Sequence, residues 1–129
     1  MRLSGRVIGM GIGVHRQLGP GLLESAYEEC LCYELANAGL EFVRQVALPI
    51  IYKGRRLALE YRMDIVAEPC LVLEIKSVDH LAPVHEAQLL TYVRLSGHRV
   101  GLLMNFNTAV QGRHPSPGTM NLCAFVPLW

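Results

Sequence analysis

The sequence lacks an excess of charge of either sign. Twelve basic and eleven acidic residues give a formal net charge of +1 over 129 residues, so no overall positive field indicates a nucleic-acid partner. Nucleic-acid binding would need a local patch, and four basic residues close together in the chain are candidates: Lys53, Arg55, Arg56 and Arg62. A solvated hairpin would carry the same residues, so both interpretations stay open.

Long apolar runs are also missing. No stretch reaches the ~18–20 apolar residues that a membrane-spanning helix needs. Residues 7–14 follow two arginines, as in a signal peptide, but Gly9, Gly11 and Gly13 interrupt the segment and no small-residue cleavage site follows it. We therefore expect a soluble, cytoplasmic protein without a membrane partner.

No two cysteines have the CxxC spacing of the common zinc and redox motifs. The four cysteines are Cys30, Cys32, Cys70 and Cys123. We interpret them as reduced core residues that act as small hydrophobic side chains. A zinc site and an iron–sulfur cluster are not expected.

Apolar residues are plentiful enough for one core. The length suits a single domain over residues 1–129, and a hydrophobic content of 51% lies at the upper end for soluble domains. This content is also high enough to leave an apolar surface that a second copy could cover, so it is compatible with a homodimer. Beyond residue 110 the chain turns rich in proline and glycine, so residues 111–129 are expected to form an irregular tail.

Apolar periodicity predicts an α/β fold. Helical spacing marks residues 22–38 and 83–95, and a weaker helix, interrupted by glycines, is expected near residues 3–17. Strand patterns cover residues 42–52, 56–66, 70–76 and 99–106, and a last apolar run covers residues 122–126. Pro49 places the first strand near a sheet edge, and the run 70–76 suits a central strand. The expected core is a mixed β-sheet flanked by helices in the order α-β-β-β-α-β.

A turn centred near Pro69 brings two acids together. With that register Asp64 lies opposite Glu74, and Lys76 shares their face because strand side chains alternate with period two. Two carboxylates beside an ammonium group suit a Mg²⁺ or Mn²⁺ site for phosphodiester hydrolysis. A structural Asp/Glu/Lys trio at a strand end has the same spacing, so spacing alone does not decide.

Two further features favour the metal site. Gln88 and Tyr92 are spaced i, i+4 on the second strong helix, and His85 shares their face. Such a pair could fix the lysine, a water or a phosphate, although it is also common on plain helix surfaces. Glu24 opens the first strong helix and could add a third carboxylate or hold a metal-bound water, although helix dipoles favour acids there anyway.

The segment GLLESAY, residues 21–27, has the GxxExxY pattern that names a family of small prokaryotic proteins. More of the chain resembles this family, over about residues 5–110: VHRQLGPGLLESAYEECL, YRMDIV, LVLEIKSV, HEAQLLTY and VGLLMNF. The family belongs to the PD-(D/E)XK, or restriction endonuclease-like, nuclease superfamily. After Val110 the tail no longer resembles it.

This resemblance implies a role for each candidate residue. Asp64 corresponds to the metal-binding aspartate, and Glu74 and Lys76 correspond to the (D/E)xK pair, with the Ile75 backbone carbonyl as a further metal ligand. Gln88 and Tyr92 match the QxxxY signature of RecB-type and related exonuclease domains. Glu24 corresponds to the first-helix acid of many members. His15 is also a family position, which we interpret as a helix-packing histidine.

The leading hypothesis is therefore a Mg²⁺- or Mn²⁺-dependent nuclease that acts on DNA. The alternative is a catalytically silent nuclease fold that binds nucleic acid or a partner within a DNA-processing complex. The near-neutral charge favours the alternative, and the complete set of catalytic positions favours the enzyme.

Overall fold

Three helices and five strands build the described part of the chain. The computed structural model of the protein describes residues 2–107 and the backbone of residues 121–125. In chain order the elements are α1 (Leu3–Leu18), α2 (Glu24–Asn37), β1 (Phe42–Tyr52), β2 (Arg55–Ala67), a short 3₁₀ turn (Glu68–Cys70), β3 (Leu71–Lys76), α3 (Pro83–Ser96), β4 (Val100–Asn105) and β5 (Asn121–Phe125). None of the described helices is long and apolar enough to cross a membrane.

One mixed sheet organises these elements, with spatial order β1-β2-β3-β4-β5. The first three strands form an antiparallel meander, β3 and β4 run parallel, and β5 is antiparallel to β4. The parallel step needs a crossover, which α3 supplies. The predicted mixed sheet is confirmed, with the strand of Pro49 at one edge and β3 in the middle.

The two faces of β3 bury two different layers. Leu71, Leu73 and Ile75 point towards α1 and α2, where they pack in one apolar cluster. Val72 points the other way and packs with Leu89 and Val93 of α3 in a second cluster. Because strand side chains alternate, Glu74 and Lys76 belong to the α3 face.

The N-terminal helices cover the first face. On α1 the buried residues are Val7, Gly11, Val14 and His15, at helical spacing. His15 is fully buried, and its ring centroid lies 6.3 Å from that of Phe106, which fits the packing role expected for this histidine. Burial lowers its pKa, against a hydrogen bond with the Phe106 backbone that raises it, so the neutral imidazole is favoured.

The expected core order α-β-β-β-α-β is confirmed from α2 to β4. The helix expected near residues 3–17 precedes it as α1, and β5 follows it, overlapping the apolar run of residues 122–126. Two expectations need correction. The stretch 111–129 is not irregular throughout, because residues 121–125 pair with β4; its remaining residues lie outside the described part. Cys70 is exposed and so is not a core residue, because it closes the 3₁₀ turn ahead of β3.

Gly101 on β4 allows α3 to approach the sheet closely. A Cβ atom at this position would lie 2.6 Å from Val93 Cγ2 and 2.8 Å from Leu89 Cδ1. We predict that Gly101→Ala lowers the free energy of unfolding by about 1–3 kcal/mol, because the added methyl group overpacks this contact. Urea denaturation followed by circular dichroism measures the change.

Gly13→Ala is the matched control, since a Cβ at exposed Gly13 on α1 meets nothing within 4 Å. It should raise the free energy of unfolding by about 0.5–1 kcal/mol, because alanine favours a helix interior more than glycine does. Equal effects of the two substitutions would contradict the close approach of α3.

Candidate active site

Two carboxylates face each other where the pairing of β2 with β3 ends. The ladder runs from Ala67 opposite Leu71 to Ile65 opposite Leu73, and one step further lie Asp64 and Glu74. Oδ2 of Asp64 accepts the Ile75 N–H at 2.8 Å, and Oε1 of Glu74 accepts the Asp64 N–H at 3.2 Å. Both carboxylates are thus held by backbone groups of the opposite strand.

A local irregularity of β2 explains where Asp64 points. Met63 and Val66 both pack in the α3 cluster, whereas Ile65 packs in the α1/α2 cluster, so the alternation of the strand breaks next to Asp64. Opposite this break, Gln45 of β1 has a φ of 51°, which is unusual for a residue other than glycine. The break lets Asp64 lie between the two layers, near both Glu74 and α2.

Burial is the main cause that raises the pKa of both acids. Glu74 is only 4% exposed, and its burial, followed by the charge of Asp64, raises its pKa to about 8. Burial is also the main cause that raises the pKa of Asp64, against the Ile75 N–H, which lowers it. The two carboxylates therefore do not both ionise readily near neutral pH unless a cation joins them.

Lys76 supplies one positive charge at this position. It is half-buried at the end of β3, on the same face as Glu74. Its charge lowers the pKa of Asp64 and of Glu74, so the ammonium group lies within electrostatic reach of both carboxylates. This brings together the three residues that the sequence placed at the centre of the site.

The donor set fits a hard divalent cation. Mg²⁺ and Mn²⁺ prefer carboxylate, carbonyl and water oxygens. The N–H of Ile75 points towards Asp64, and the carbonyl of a strand residue points to the same side as its N–H. The Lys76 carbonyl points the other way, where it accepts the Phe106 N–H at 2.9 Å. Asp64, Glu74 and the Ile75 carbonyl therefore offer oxygens on one side of β3.

Glu24 contacts the chain that follows Lys76. Its Oε2 accepts the Ser77 N–H at 3.1 Å, while Ser77 Oγ donates to the Leu22 carbonyl at 3.0 Å. Within the part of the chain that the structure describes, no three His, Cys, Asp or Glu side chains could together hold a metal ion. The expected third carboxylate is thus placed on the Ser77 backbone instead of in a group of three acids.

Tyr27, the other end of the GxxExxY pattern, builds the turn ahead of α2. Its hydroxyl donates to the Gly19 carbonyl at 2.6 Å and accepts the Leu22 N–H at 3.1 Å. Its ring stacks on Phe106 with centroids 4.6 Å apart. Glu24 and Tyr27 of the pattern therefore connect the start of α2 to the ends of β3 and β4, through Ser77 and Phe106.

Tyr92 of α3 lies beside the carboxylate pair. It is 4% exposed, and burial, then the charge of Glu74, raises its pKa to about 12. A side-chain hydrogen bond with Gln88 acts in the opposite direction. The phenol thus stays protonated and can donate a hydrogen bond. His85 does not join this pair, because its Nδ1 accepts the Ala82 N–H at 3.0 Å at the start of α3.

Sequence reasoning missed two buried polar residues near the site. Glu28 on α2 is 6% exposed and accepts hydrogen bonds from Arg44, at 2.7 Å from Nη2, and from Gln45 at 3.0 Å. Its charge contributes to the raised pKa of Asp64. The available signal was its position on the buried stripe of α2, next to Tyr27 and four residues before Cys32.

Asn105 is the second missed residue, fully buried at the end of β4. Its Oδ1 accepts the Val78 N–H at 3.0 Å and its Nδ2 donates to the Val78 carbonyl at 2.8 Å. This amide therefore fixes the loop that follows Lys76. A polar residue that ends the apolar run VGLLMN was the signal in the sequence.

Comparison with known proteins supports the same fold. The family model described as "PD-(D/E)XK nuclease superfamily" matches residues 1–115. A solved structure titled "Crystal structure of SSO0001" is similar, with a TM-score of 0.54 and 16% sequence identity over 99% of this chain and 80% of that chain. At this identity the likeness shows the fold alone. No curated protein matches the chain.

We predict that Glu74→Gln removes a pH-dependent destabilisation of the metal-free protein. The pKa of Glu74 is raised from 4.5 to about 8, so the folded state binds this proton more tightly than the unfolded state does. The favourable contribution is present below pH 4.5 and is lost as the pH rises to about 8. At pH 8 the variant should be more stable than the wild type by on the order of 2 kcal/mol.

Urea unfolding at several pH values in EDTA measures this difference. Glu41→Gln, at an exposed glutamate, is the control and should follow the wild type throughout. A Glu74→Gln variant whose stability also parallels that of the wild type between these pH values would contradict the proton held at Glu74.

Proposed function

Because the chain belongs to the PD-(D/E)XK nuclease superfamily, we propose that it is a metal-dependent nuclease that hydrolyses phosphodiester bonds of DNA. One observation carries the proposal: the buried Glu74 and the half-buried Asp64 face each other where β2 and β3 stop pairing, with Lys76 next to them. A pair of this kind is costly for a fold to keep unless a cation neutralises it. Its membership of the GxxExxY family within that superfamily is part of this proposal.

Asp64, Glu74 and the Ile75 carbonyl would hold a Mg²⁺ or Mn²⁺ ion. When bound, the ion polarises the scissile phosphate and lowers the pKa of a water molecule. Both carboxylates are fixed in advance by backbone N–H groups, at 2.8 Å for Asp64 and 3.2 Å for Glu74. Little reorganisation is then needed when the substrate binds.

Lys76 orients the attacking water in this proposal. Its Nζ donates a hydrogen bond to the water oxygen and stabilises the negative charge that develops on the phosphate oxygens. Glu24 supports it indirectly, since it holds the Ser77 N–H next to the lysine. Glu24 is exposed, so its second oxygen remains available to hold a metal-bound water.

Gln88 and Tyr92 complete the site on the α3 side. The Tyr92 hydroxyl stays protonated and can donate to a phosphate oxygen or orient Lys76. Gln88, one helical turn before Tyr92, lies close enough to lower its pKa against the effect of burial. These two residues are therefore assigned to substrate positioning.

A catalytically silent binding subunit is the second candidate. It is favoured by one observation, that the described side chains include no group of three acids, histidines or cysteines for a metal. Such a subunit would bind nucleic acid or a partner protein equally well in EDTA. The two candidates thus differ in their dependence on metal.

We predict that Lys76→Ala abolishes cleavage, with a loss of about 10²-fold or more, because water orientation and charge stabilisation are both removed. The assay uses circular and linear, single- and double-stranded DNA, with RNA alongside, in Mg²⁺ or Mn²⁺ and in EDTA. Arg16→Ala, at an exposed position on α1, is the control and should cleave like the wild type.

Retained cleavage in a folded Lys76→Ala protein would rule out the assignment of Lys76. Folding is checked by the thermal unfolding transition of each variant. A wild-type protein that binds metal but cleaves none of these substrates would favour the silent subunit instead.

We also predict that Mn²⁺ raises the thermal unfolding temperature of the wild type and not that of Asp64→Asn. Binding to the folded state alone adds about 2.7 kcal/mol when the free ion is at 100 times its dissociation constant. Differential scanning fluorimetry at pH 8, with and without the ion, measures the shift. An equal shift in Asp64→Asn would place the ion elsewhere.

A further inference from the structure

The hairpin of β1 and β2 extends beyond the core as an arm. Every residue from 51 to 62 is exposed, and burial on β2 begins only at Met63. We refer to residues 51–62 as the β1–β2 arm. Its strands pair through Ile51 with Arg56 and Tyr52 with Arg55, around a turn at Lys53 and Gly54. The arm is thus an ordered two-stranded ribbon that the core does not cover.

Positive charge is concentrated on this arm. It carries four basic residues, Lys53, Arg55, Arg56 and Arg62, and one acid, Glu60, whereas the whole chain has a formal net charge of +1. The rest of the chain is therefore net negative. Arg56 pairs with Glu60 at 3.4 Å, and in the described part of the chain no salt bridge involves Lys53 or Arg55.

Aromatic side chains accompany these charges. Tyr52 is 61% exposed and Tyr61 is 46% exposed. The Lys53 ammonium lies 5.4 Å from the centroid of the Tyr52 ring. Exposed tyrosines next to basic side chains offer both a stacking surface for bases and donors for phosphates.

The base of the arm lies on the face of the sheet that holds the carboxylates. Val46 and Leu48 pack in the α3 cluster on this face, and the register of β1 with β2 shifts between Pro49 and Ile51, before Tyr52. Tyr61 pairs with Leu48, and its ring centroid is 5.8 Å from that of Tyr92. The four-residue step from Leu48 to Tyr52 spans about 13 Å. One aromatic side chain at the base of the arm, Tyr61, therefore lies next to Tyr92, and exposed aromatic and basic residues follow further out on the arm.

We propose that the β1–β2 arm is a second DNA-binding site that holds the strand on one side of the cleaved phosphate. Arg55 and Lys53 bind backbone phosphates, and Tyr52 and Tyr61 stack against unpaired bases. This inference rests on the proposed function for the choice of DNA as ligand. It adds residues that the nuclease motifs do not include.

A second copy of the chain is a less suitable partner for the arm than DNA is. The apolar residues Ile51 and Leu59 are 59% and 54% exposed and could meet another arm. A two-fold contact would, however, bring the same four basic residues of both copies together, and like charges repel across such an interface. A polyanion has the complementary charge.

The test measures binding without cleavage. Fluorescence anisotropy in EDTA follows a labelled single-stranded DNA of about 20 nucleotides across a series of salt concentrations. Arg55→Gln should weaken binding by about 5- to 10-fold and lower the salt-dependence slope by ~0.7, because one phosphate contact is lost. Tyr52→Ala should weaken binding with the slope unchanged, since stacking releases no counterions.

Arg16→Gln is the matched control, because Arg16 is an exposed arginine on α1; its affinity and slope should equal those of the wild type. Unchanged affinity and slope in both Arg55→Gln and Lys53→Gln would overturn the proposal. So would arm variants that convert a dimer to a monomer in analytical ultracentrifugation while DNA binding stays intact.

The outcome is separable from that of the nuclease proposal. Arm-dependent DNA binding in a protein that never cleaves would support the arm and reject the enzyme. Cleavage that needs Lys76 but is unchanged by substitution of Arg55, Lys53 or Tyr52 would support the nuclease proposal and contradict the DNA-binding role of the arm.

Discussion

Two carboxylates, Asp64 and Glu74, face each other where the strands β2 and β3 stop pairing, and much of the structure holds them in that place. Burial raises the pKa of both groups, and the charge of Asp64 raises that of Glu74 further, so the arrangement costs free energy. It persists because the backbone N–H groups of Ile75 and of Asp64 itself bind the two carboxylates. Each acid is held by the strand that carries the other, which ties the site to the pairing of the sheet itself.

Helices pack on both faces of the sheet around β3, which carries Glu74. Odd-numbered residues of β3 anchor it to α1 and α2, whereas its even-numbered residues face α3, which carries Tyr92. The loop after Lys76 is fixed twice, by Glu24 on the Ser77 N–H and by Asn105 on both backbone groups of Val78. The backbone that follows the proposed catalytic lysine is therefore held from both sides. Glu24 and Tyr27 of the GxxExxY pattern act here through their contacts with Ser77, Gly19 and Leu22.

Local periodicity predicted most of this architecture, since β1 and α3 begin where their patterns indicate, and the turn near Pro69 sets the register that brings Asp64 to Glu74. The features that the sequence did not predict depend on partners that are remote in sequence. Glu28 gains its role from Arg44, and Asn105 from Val78. The break in alternation at Asp64 lies opposite Gln45 on the neighbouring strand, whose φ is 51°. Period two gives the faces of β2 from Ile65 onward, but it gives neither the break at Asp64 nor the length by which the strand extends beyond the core.

The near-neutral composition conceals two opposite local fields. Acids gather at the end of β3, where Glu28 adds to the potential that raises the pKa of Asp64, and basic residues gather on residues 51–62. In the proposed function the acidic site binds a divalent cation, and in the further proposal the basic arm binds phosphates. A uniformly basic chain would weaken metal binding at the carboxylates, because the Debye length of ~8–10 Å lets nearby charges compete. Tyr52 on the arm lies about 13 Å along β1 from the buried Leu48, so one small sheet keeps the two charges apart and the formal net charge of +1 hides both.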